Sequence, residues 1–281
     1  MRFHIIVTIT MKRSGYEQRT LNYEPSNMKQ IPNLFTLLNL VFGCLAIVFT
    51  LQNGIIITSG QDGTQLLDIP EKIWMGSLFI GLAGLVDFLD GFVARIFRVS
   101  SEMGKQLDSL ADLVSFGVAP AMIIYQFLRL SYAQEEGGLD IAITWLLPVF
   151  ILPCAAAWRL ARFNLDTKQS FSFRGLPVPA TGIFMASLPL IYWNVNEQWV
   201  LTLLLNKWFL YGLVLLFSWL MVSNLPLMAL KFKNFGIKNN LPKYLLIILA
   251  IATLLLLKWL AIPVIVLAYV LLSLLFKNNP T

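Results

Sequence analysis

The stretch VDFLDGFVARIFRVSSEMGKQLDSLADLVSF, residues 86–116, places four aspartates in an apolar chain: Asp87, Asp90, Asp108 and Asp112. The chain has 281 residues, of which 57% are hydrophobic and only 13% are charged, and its mean hydropathy is +0.71. A soluble domain usually carries about 25% charged residues. Because long apolar runs recur along the whole length, the sequence predicts an all-α polytopic membrane protein.

Eight apolar segments are candidate membrane spans. A spanning helix needs about 20 residues, so the last two candidates are short, and a re-entrant or tilted pair is the alternative for them. The eight segments are residues 34–53, 73–97, 106–130, 141–163, 179–195, 208–228, 244–257 and 259–276.

The spans divide the chain into three predicted regions. Residues 1–27 show no cleavable signal pattern and are expected to be an extension, with Met28 as an alternative start of the protein. Residues 28–228 contain six of the eight candidate spans and are predicted to form one membrane domain, and residues 229–281 a C-terminal helical hairpin. The region from about residue 200 onward has almost no ionisable residues inside its spans and is expected to act as scaffold.

The basic residues indicate the direction in which the chain crosses the membrane. If the N-terminus is inside, 17 of the 21 lysines and arginines fall on the inner side. Positive charge concentrates on the cytoplasmic side of membrane proteins, so both termini are predicted in the cytoplasm. The expected location is a bacterial inner (cell) membrane, with the aspartates facing the cytoplasm. Membrane lipids are expected partners and nucleic acid is not.

The four aspartates occupy mirrored positions on two neighbouring spans. Asp87 and Asp90 are three residues apart, and Asp108 and Asp112 are four apart, so each pair shares one helix face. A turn centred near residues 99–100 would bring the two pairs to similar depth. The sequence therefore predicts that all four carboxylates converge just inside the cytoplasmic boundary.

Such a cluster is costly unless something neutralises it. An aspartate at the centre of a membrane helix costs about 2.5–3.5 kcal/mol, and less near the interface. Nearby basic residues are too few, whereas bound divalent cations would neutralise the acids. An all-oxygen ligand set suits Mg²⁺, Mn²⁺ or Ca²⁺ rather than zinc, and paired cations are common in phosphoryl chemistry. A structural ion-pair network or a proton path is the alternative.

The residues between the acids suit a phosphate-bearing ligand. Gly91, Ala94 and Gly104 are small and let a ligand approach the backbone. Arg95 offers a fork of donors for a phosphate. Close helix packing is the alternative explanation for the small residues.

The spacing of the acids and their neighbours resembles the motif of the CDP-alcohol phosphatidyltransferase family. The matching residues are Asp87, Asp90, Gly91, Ala94, Arg95, Gly104, Asp108 and Asp112. The resemblance implies a six-helix membrane core, a homodimer and two bound divalent cations, Mg²⁺ or Mn²⁺. It implies metal binding by Asp87, Asp90 and Asp108. For Asp112 it implies a general base that also contacts a metal. Gly91, Ala94, Arg95 and Gly104, with Asp90, would line the CDP-diacylglycerol site.

Further stretches resemble the membrane-integral phosphatidylserine synthase branch of that family. They are IPNLFTLLNLVFGCLA, SLADLVSFGVAPA, WRLARFNLDT and FRGLPVPATG, all within residues 28–190.

Other polar residues at the inner ends of the spans are candidates for the acceptor and nucleotide sites. Arg159, Arg162 and Asn164 are predicted to bind serine, because arginine binds carboxylates with two parallel hydrogen bonds. Anchoring of the helix end and a grip on a lipid phosphate are the alternatives for the arginines. Thr36 and Asn39 are predicted to help bind CDP-diacylglycerol, with helix packing as the alternative.

The expected reaction is direct transfer of the phosphatidyl group from CDP-diacylglycerol to L-serine, releasing CMP. A serine hydroxyl needs a base when it attacks, and Asp112 is the candidate. The nearest rival is the same chemistry with glycerol phosphate or inositol phosphate as acceptor. A cation transporter is a more remote rival, because transporters often show internal repeats and broken spans, which this sequence lacks.

Overall fold

The structure is a computed structural model that describes residues 30–52, 54–59, 65–97, 101–135, 137–165, 173–228 and 236–276. The predicted N-terminal extension and the predicted turn near residues 99–100 lie outside these ranges. The described α-helices are α1 (Gln30–Gln52), α2 (Trp74–Phe97), α3 (Glu102–Asp112), α4 (Ala119–Ala133), α5 (Ile151–Leu165), α6 (Val178–Asn194), α7 (Gln198–Leu204), α8 (Lys207–Val222), α9 (Ile237–Leu257) and α10 (Ala261–Leu275).

Most of these helices are suited to crossing a bilayer. Within the described residues, five stretches are long and apolar enough: Asn33–Gln52, Glu71–Val93, Glu102–Ala133, Ile143–Leu165 and Asn240–Leu275. Helices α7 and α8 form a pair bent by 66° that makes a sixth if the pair is one span. Helix α6 has 17 residues, which is the lower limit for a span. The predicted fold class, an all-α polytopic membrane protein, is confirmed.

The C-terminal stretch contains two helices rather than one. Lys258 has φ 49° and ψ −116°, a positive φ that is uncommon outside glycine, and a 3-10 turn at Lys258–Leu260 separates α9 from α10. The two helices contact each other, as the predicted helical hairpin requires. The domain boundaries at 28–228 and 229–281 stay a prediction.

Helix α1 presents a face of small and polar side chains to the interior of the bundle. Small residues let membrane helices approach closely. A Cβ atom at Gly43 would stand 2.4 Å from Ser115 Oγ, so α1 and the α3–α4 span touch almost backbone to backbone. The residues of this buried face are Thr36, Asn39, Gly43, Ala46 and Thr50.

The span formed by α3 and α4 lies at the centre of the bundle. A π-helix, Leu113–Val118, joins the two helices, so the single helix predicted over residues 106–130 is interrupted. Phe116 and Phe127 are fully buried, and Phe127 meets the ring of Tyr192 on α6 edge-on. Asp112 lies on the same span at the start of this buried part, whereas Asp108 is half-buried one turn earlier.

Two short antiparallel strand pairs, which the sequence did not predict, tie the loops together. β1 (Ile56–Ser59) pairs with β2 (Gln65–Asp68), and β3 (Phe173–Arg174) pairs with β4 (Pro226–Leu227). Gly175 follows β3 with φ 75°, and a Cβ there would stand 2.4 Å from the carbonyl oxygen of Met221. Only glycine fits this turn, which holds the α5–α6 connection against the end of α8.

Candidate active site

Three carboxylates meet where α2 and α3 face each other. Asp87, Asp108 and Asp112 each offer an oxygen, and these oxygens all lie within 4.8 Å of one another. Asp112 is buried, with 7% of its surface exposed. The Ser101 hydroxyl caps α3 by accepting the Gly104 N–H at 2.9 Å. This cap gives the helix that carries two of the acids a defined start.

Asp90 lies beside the three-carboxylate cluster. It is within electrostatic range of Asp87 and Asp108. The Thr36 hydroxyl on α1 donates a hydrogen bond to Asp90 Oδ2 at 2.5 Å. The other oxygen, Oδ1, is buried and has no hydrogen-bond partner among the described residues. Three of the four predicted acids therefore share one point, and the fourth stands next to it with a free ligand atom.

Asn39 on α1 forms a hydrogen bond to Asp112. Its Nδ2 donates to Asp112 Oδ1 at 3.1 Å, and its main-chain carbonyl accepts the hydroxyl proton of Ser115 at 3.0 Å. Asn39 is fully buried. The two α1 residues that the sequence predicted to contact the nucleotide thus bond to the acids, Thr36 to Asp90 and Asn39 to Asp112.

The π-helix begins immediately after Asp112. Such insertions are rare and often lie at functional sites. A Cβ at Gly182 on α6 would stand 2.9 Å from Phe116 Cβ, and Gly43 on α1 makes the equally close approach to Ser115. Gly43 on α1 and Gly182 on α6 therefore pack tightly against the π-helix that follows Asp112.

The acid cluster fits hard divalent cations. Carboxylate oxygens are the ligands that Mg²⁺ and Mn²⁺ prefer. Three oxygens within 4.8 Å of one another and the unpartnered Oδ1 of Asp90 offer four such ligand atoms. We therefore regard Asp87, Asp90, Asp108 and Asp112 as the residues that could hold the metal.

Of the small motif residues, Gly91 leaves space beside the site. A Cβ at Gly91 would meet only the Arg95 guanidinium, at 3.9 Å. Arg95 is exposed and folds back on its own helix, with Nε donating to the Gly91 carbonyl at 2.7 Å. Gly104 is closer packed, because a Cβ there would stand 3.0 Å from Asn33 Oδ1 on α1. Ala94 lies on α2 between Gly91 and Arg95.

An arginine-lined pocket lies next to the acids. Its wall includes Arg159 and Arg162 on α5 and Arg174 on β3, together with Met221 and Val222 at the end of α8. The sequence predicted the first two arginines on one face, and the structure brings them together. Arg174 completes the pocket, although no sequence pattern singled it out.

The three arginines differ in what they contact. Arg159 is 9% exposed, is within electrostatic range of Asp112, and its Nε has no partner among the described residues. Arg162 donates to the Val222 carbonyl at 3.2 Å and to Asn224 Oδ1. A buried guanidinium with an unused donor beside Asp112 is the feature best suited to an anionic ligand.

Asn164, the third residue predicted to bind serine, is not part of this pocket wall. Its Nδ2 donates to Ser109 Oγ on α3 at 2.9 Å, and its carbonyl accepts from Lys105 Nζ at 3.0 Å. Asn164 therefore connects the end of α5 to α3.

Comparison with known proteins places this arrangement in a family. The sequence model of the CDP-alcohol phosphatidyltransferases matches residues 29–230, which include all four aspartates and the arginine pocket. The chain belongs to the CDP-alcohol phosphatidyltransferase family. The members of this family found by similarity include several curated bacterial proteins.

Three of these relatives carry the name CDP-diacylglycerol–serine O-phosphatidyltransferase. The Helicobacter pylori protein is 31% identical over 221 residues, which is 78% of this chain and 78% of the relative. The Mycobacterium tuberculosis protein is 31% identical over 252 residues, 86% of this chain and 76% of the relative. The Bacillus subtilis protein is 32% identical over 165 residues, 59% of this chain and 78% of the relative.

Sequence reasoning missed the residues that support the acids and the arginines. Ser115 and Gly43 lie in the quoted motifs SLADLVSFGVAPA and IPNLFTLLNLVFGCLA, but nothing in the spacing reveals a π-turn. Arg174 was visible as a basic residue in FRGLPVPATG. Its position beside the arginines of α5 depends on the pairing of β3 with β4. A strand of two residues has no recognisable sequence pattern.

Proposed function

We propose that the protein transfers the phosphatidyl group of CDP-diacylglycerol to L-serine and releases CMP. The observation that carries the proposal is the buried Arg159, whose unpartnered Nε lies beside Asp112 and the acid cluster. The names of the relatives point to serine, and an unpaired buried guanidinium suits the serine carboxylate.

The acids would bind the donor substrate through metal ions. Asp87, Asp90, Asp108 and Asp112 would hold two divalent cations, Mg²⁺ or Mn²⁺. Bound there, the cations would neutralise the pyrophosphate of CDP-diacylglycerol and stabilise the CMP leaving group. Gly91, Ala94 and Gly104 would admit the head group to the backbone, and Arg95 would turn from the Gly91 carbonyl to a phosphate oxygen.

Asp112 would act as the general base. It accepts the proton of the serine hydroxyl while the serine oxygen forms a bond to the phosphorus that carries the diacylglycerol. The bond from that phosphorus to the CMP oxygen breaks, and CMP leaves with the electron pair. Asn39 holds Oδ1 of Asp112, which leaves Oδ2 to take the proton. Direct displacement requires no covalent intermediate on the enzyme.

Arg159 and Arg162 would orient serine, with Arg159 binding the carboxylate. Arg162 already bonds to the end of α8 and would define the pocket wall. Asn164 supports this site indirectly by joining α5 to α3. Thr36 and Asn39 would act on CDP-diacylglycerol through Asp90 and Asp112 rather than by direct contact.

A phosphorylated acceptor is the second candidate, and Arg174 favours it. The pocket has three arginines, one more than the two that the sequence predicted, and is therefore more basic than expected. Pocket charge alone therefore does not decide between serine and an alcohol phosphate, and the choice of serine rests on the unpartnered Arg159 Nε together with the names of the relatives. Membership of a transferase family argues against a cation transporter.

An acceptor comparison tests the proposal. The purified protein in lipid nanodiscs is given CDP-diacylglycerol, Mg²⁺ or Mn²⁺, and serine, inositol phosphate or glycerol phosphate, and CMP release is measured. We expect release with serine and phosphatidylserine as the lipid product. Release of CMP with an alcohol phosphate and none with serine would show that the acceptor is the alcohol phosphate rather than serine.

The site is further proposed to face the cytoplasm from a bacterial inner membrane. Lys105, Arg159, Arg162 and Arg174 cluster at the end of the bundle that holds the acids, as the positive-inside rule expects for a cytoplasmic face. Labelling of a single cysteine placed at exposed Glu102 should require a membrane-permeant reagent. Labelling by an impermeant reagent in intact cells would show that the site faces the outside of the cell.

A further inference from the structure

Helix α10 contacts β4, the partner strand of β3 that carries Arg174, although α10 lies beyond residues 29–230, which the family model matches. The sequence predicted this region to be scaffold. Helix α10 packs against α6 and against β4, and its buried face carries the hydroxyl residues Tyr269 and Ser273.

These two residues hold the main chain of Met228 from both sides. The Tyr269 hydroxyl donates to the Met228 carbonyl at 3.0 Å. The Met228 N–H donates to Ser273 Oγ at 3.2 Å, and the Ser273 hydroxyl donates to the Tyr269 carbonyl one turn earlier, at 2.7 Å. Both polar groups of one main-chain residue are thus bound by a single helix face.

Met228 directly follows β4, which carries the restraint to the pocket. β4 pairs with β3 so that Pro226 lies opposite Arg174, and the Gly175 N–H donates to the Leu225 carbonyl at 2.9 Å. Residues 225–228 are therefore bonded to α10 through Met228 and to the strand of Arg174 through β4.

Tyr269 is also close to Arg159. The two side chains are within electrostatic range and both are buried. Arg159 is therefore within electrostatic range of both Asp112 of the acid cluster and Tyr269 of α10.

We propose that Tyr269 is a positioning residue of the acceptor pocket. Through its hydrogen bond to Met228, it fixes the β3–β4 pair that carries Arg174. The C-terminal hairpin is on this account part of the acceptor site. The inference rests on the proposed function, because the pocket is taken to bind the acceptor.

The test is Tyr269→Phe, which keeps the ring and removes only the hydroxyl. We expect the KM for serine to rise about three- to tenfold, as for the loss of one hydrogen bond, while kcat and the KM for CDP-diacylglycerol stay within about twofold of the wild type. Tyr211→Phe is the matched control, since its hydroxyl bonds to Tyr132 and to the Trp145 carbonyl at the far end of the bundle. The control should leave the serine KM unchanged.

Two outcomes would overturn the inference. One is an unchanged serine KM in Tyr269→Phe. The other is an equal rise in both KM values with a lowered melting temperature, which would indicate only structural damage. Ser273→Ala, which removes the acceptor for Met228 but leaves Tyr269 intact, should raise the serine KM less than Tyr269→Phe does.

Failure of the proposed function gives a different result. If the wild type uses an alcohol phosphate instead of serine, the same KM comparison is made with that acceptor, and a selective rise still supports the role of Tyr269. Amide hydrogen exchange of Leu225, Leu227 and Met228 is an activity-independent readout. We expect faster exchange in Tyr269→Phe and Ser273→Ala than in Tyr211→Phe, and equal exchange in all three would contradict the restraint.

Discussion

Replacement of Asp112 by asparagine separates proton transfer from substrate binding. The asparagine keeps the shape of the side chain, and its amide oxygen can still accept the hydrogen bond from Asn39 Nδ2, which is 3.1 Å long in the native site. What disappears is the negative charge and the ability to take a proton. Because Asp112 is only 7% exposed, bulk water is poorly placed to act as the base instead.

The size of the effect follows from the role assigned to Asp112. General-base assistance is worth about 10²–10⁴-fold, which corresponds to about 2.7–5.4 kcal/mol at 1.36 kcal/mol for each factor of ten. We therefore expect kcat of Asp112→Asn to fall at least about 100-fold. Asp87, Asp108 and the free Oδ1 of Asp90 remain as ligand atoms, so CDP-diacylglycerol binding should survive better than in Asp108→Asn or Asp87→Asn.

The assay measures binding and turnover separately at saturating metal. Equilibrium binding of CDP-diacylglycerol in nanodiscs is compared with CMP release at saturating serine. Asp140→Asn is the control, because Asp140 is an exposed acid in the 3-10 turn Gly138–Asp140, between α4 and α5. Near-normal turnover in Asp112→Asn would refute the base assignment. Loss of binding as complete as in Asp108→Asn would show that Asp112 acts mainly as a ligand.

Three further variants test the surroundings of the acids. Arg159→Ala should raise the KM for serine more than that for CDP-diacylglycerol, and an equal change in both would assign Arg159 to anchoring or to the lipid phosphate. Thr36→Val should raise the metal concentration for half-maximal activity about tenfold, because a hydrogen bond to a charged group is lost, and Thr36→Ser should restore it; identical metal curves would contradict this. Gly43→Ala should destabilise the protein by about 1–3 kcal/mol because the added Cβ clashes with Ser115, and the loss is measured as a lower melting temperature. Gly212→Ala is the control, because a Cβ there meets nothing within 4 Å, and it should leave the melting temperature unchanged. Equal melting temperatures in the two variants would refute the close approach of α1 to Ser115.

The sequence predicts the elements that depend on local pattern. Apolar runs locate the helices, and the spacing of Asp87, Asp108 and Asp112 predicts their convergence, because helix periodicity fixes which residues share a face. The same argument pairs Arg159 with Arg162. The homodimer, which rests on family resemblance, stays a prediction.

The rest of the site depends on tertiary contacts that leave no periodic signal. Asn39 and Thr36 are polar points on an apolar helix, and only the packing of α1 against α2 and α3 shows that they bond to acids. Arg174 joins the pocket through a two-residue strand pair, and Tyr269 bonds to Met228 from a helix far along the chain. Contacts of this kind come from long-range packing rather than from local propensity.

The most direct test of the central claim is metal dependence of phosphatidylserine synthesis. The purified protein in nanodiscs is stripped with a chelator, and the formation of phosphatidylserine and CMP from CDP-diacylglycerol and serine is followed as Mg²⁺ or Mn²⁺ is returned. If the four aspartates hold catalytic cations, both products should vanish in chelator, return together in equal amounts with metal, and stay absent in Asp87→Asn at the metal concentration that saturates the wild type. Full turnover in excess chelator would contradict the account.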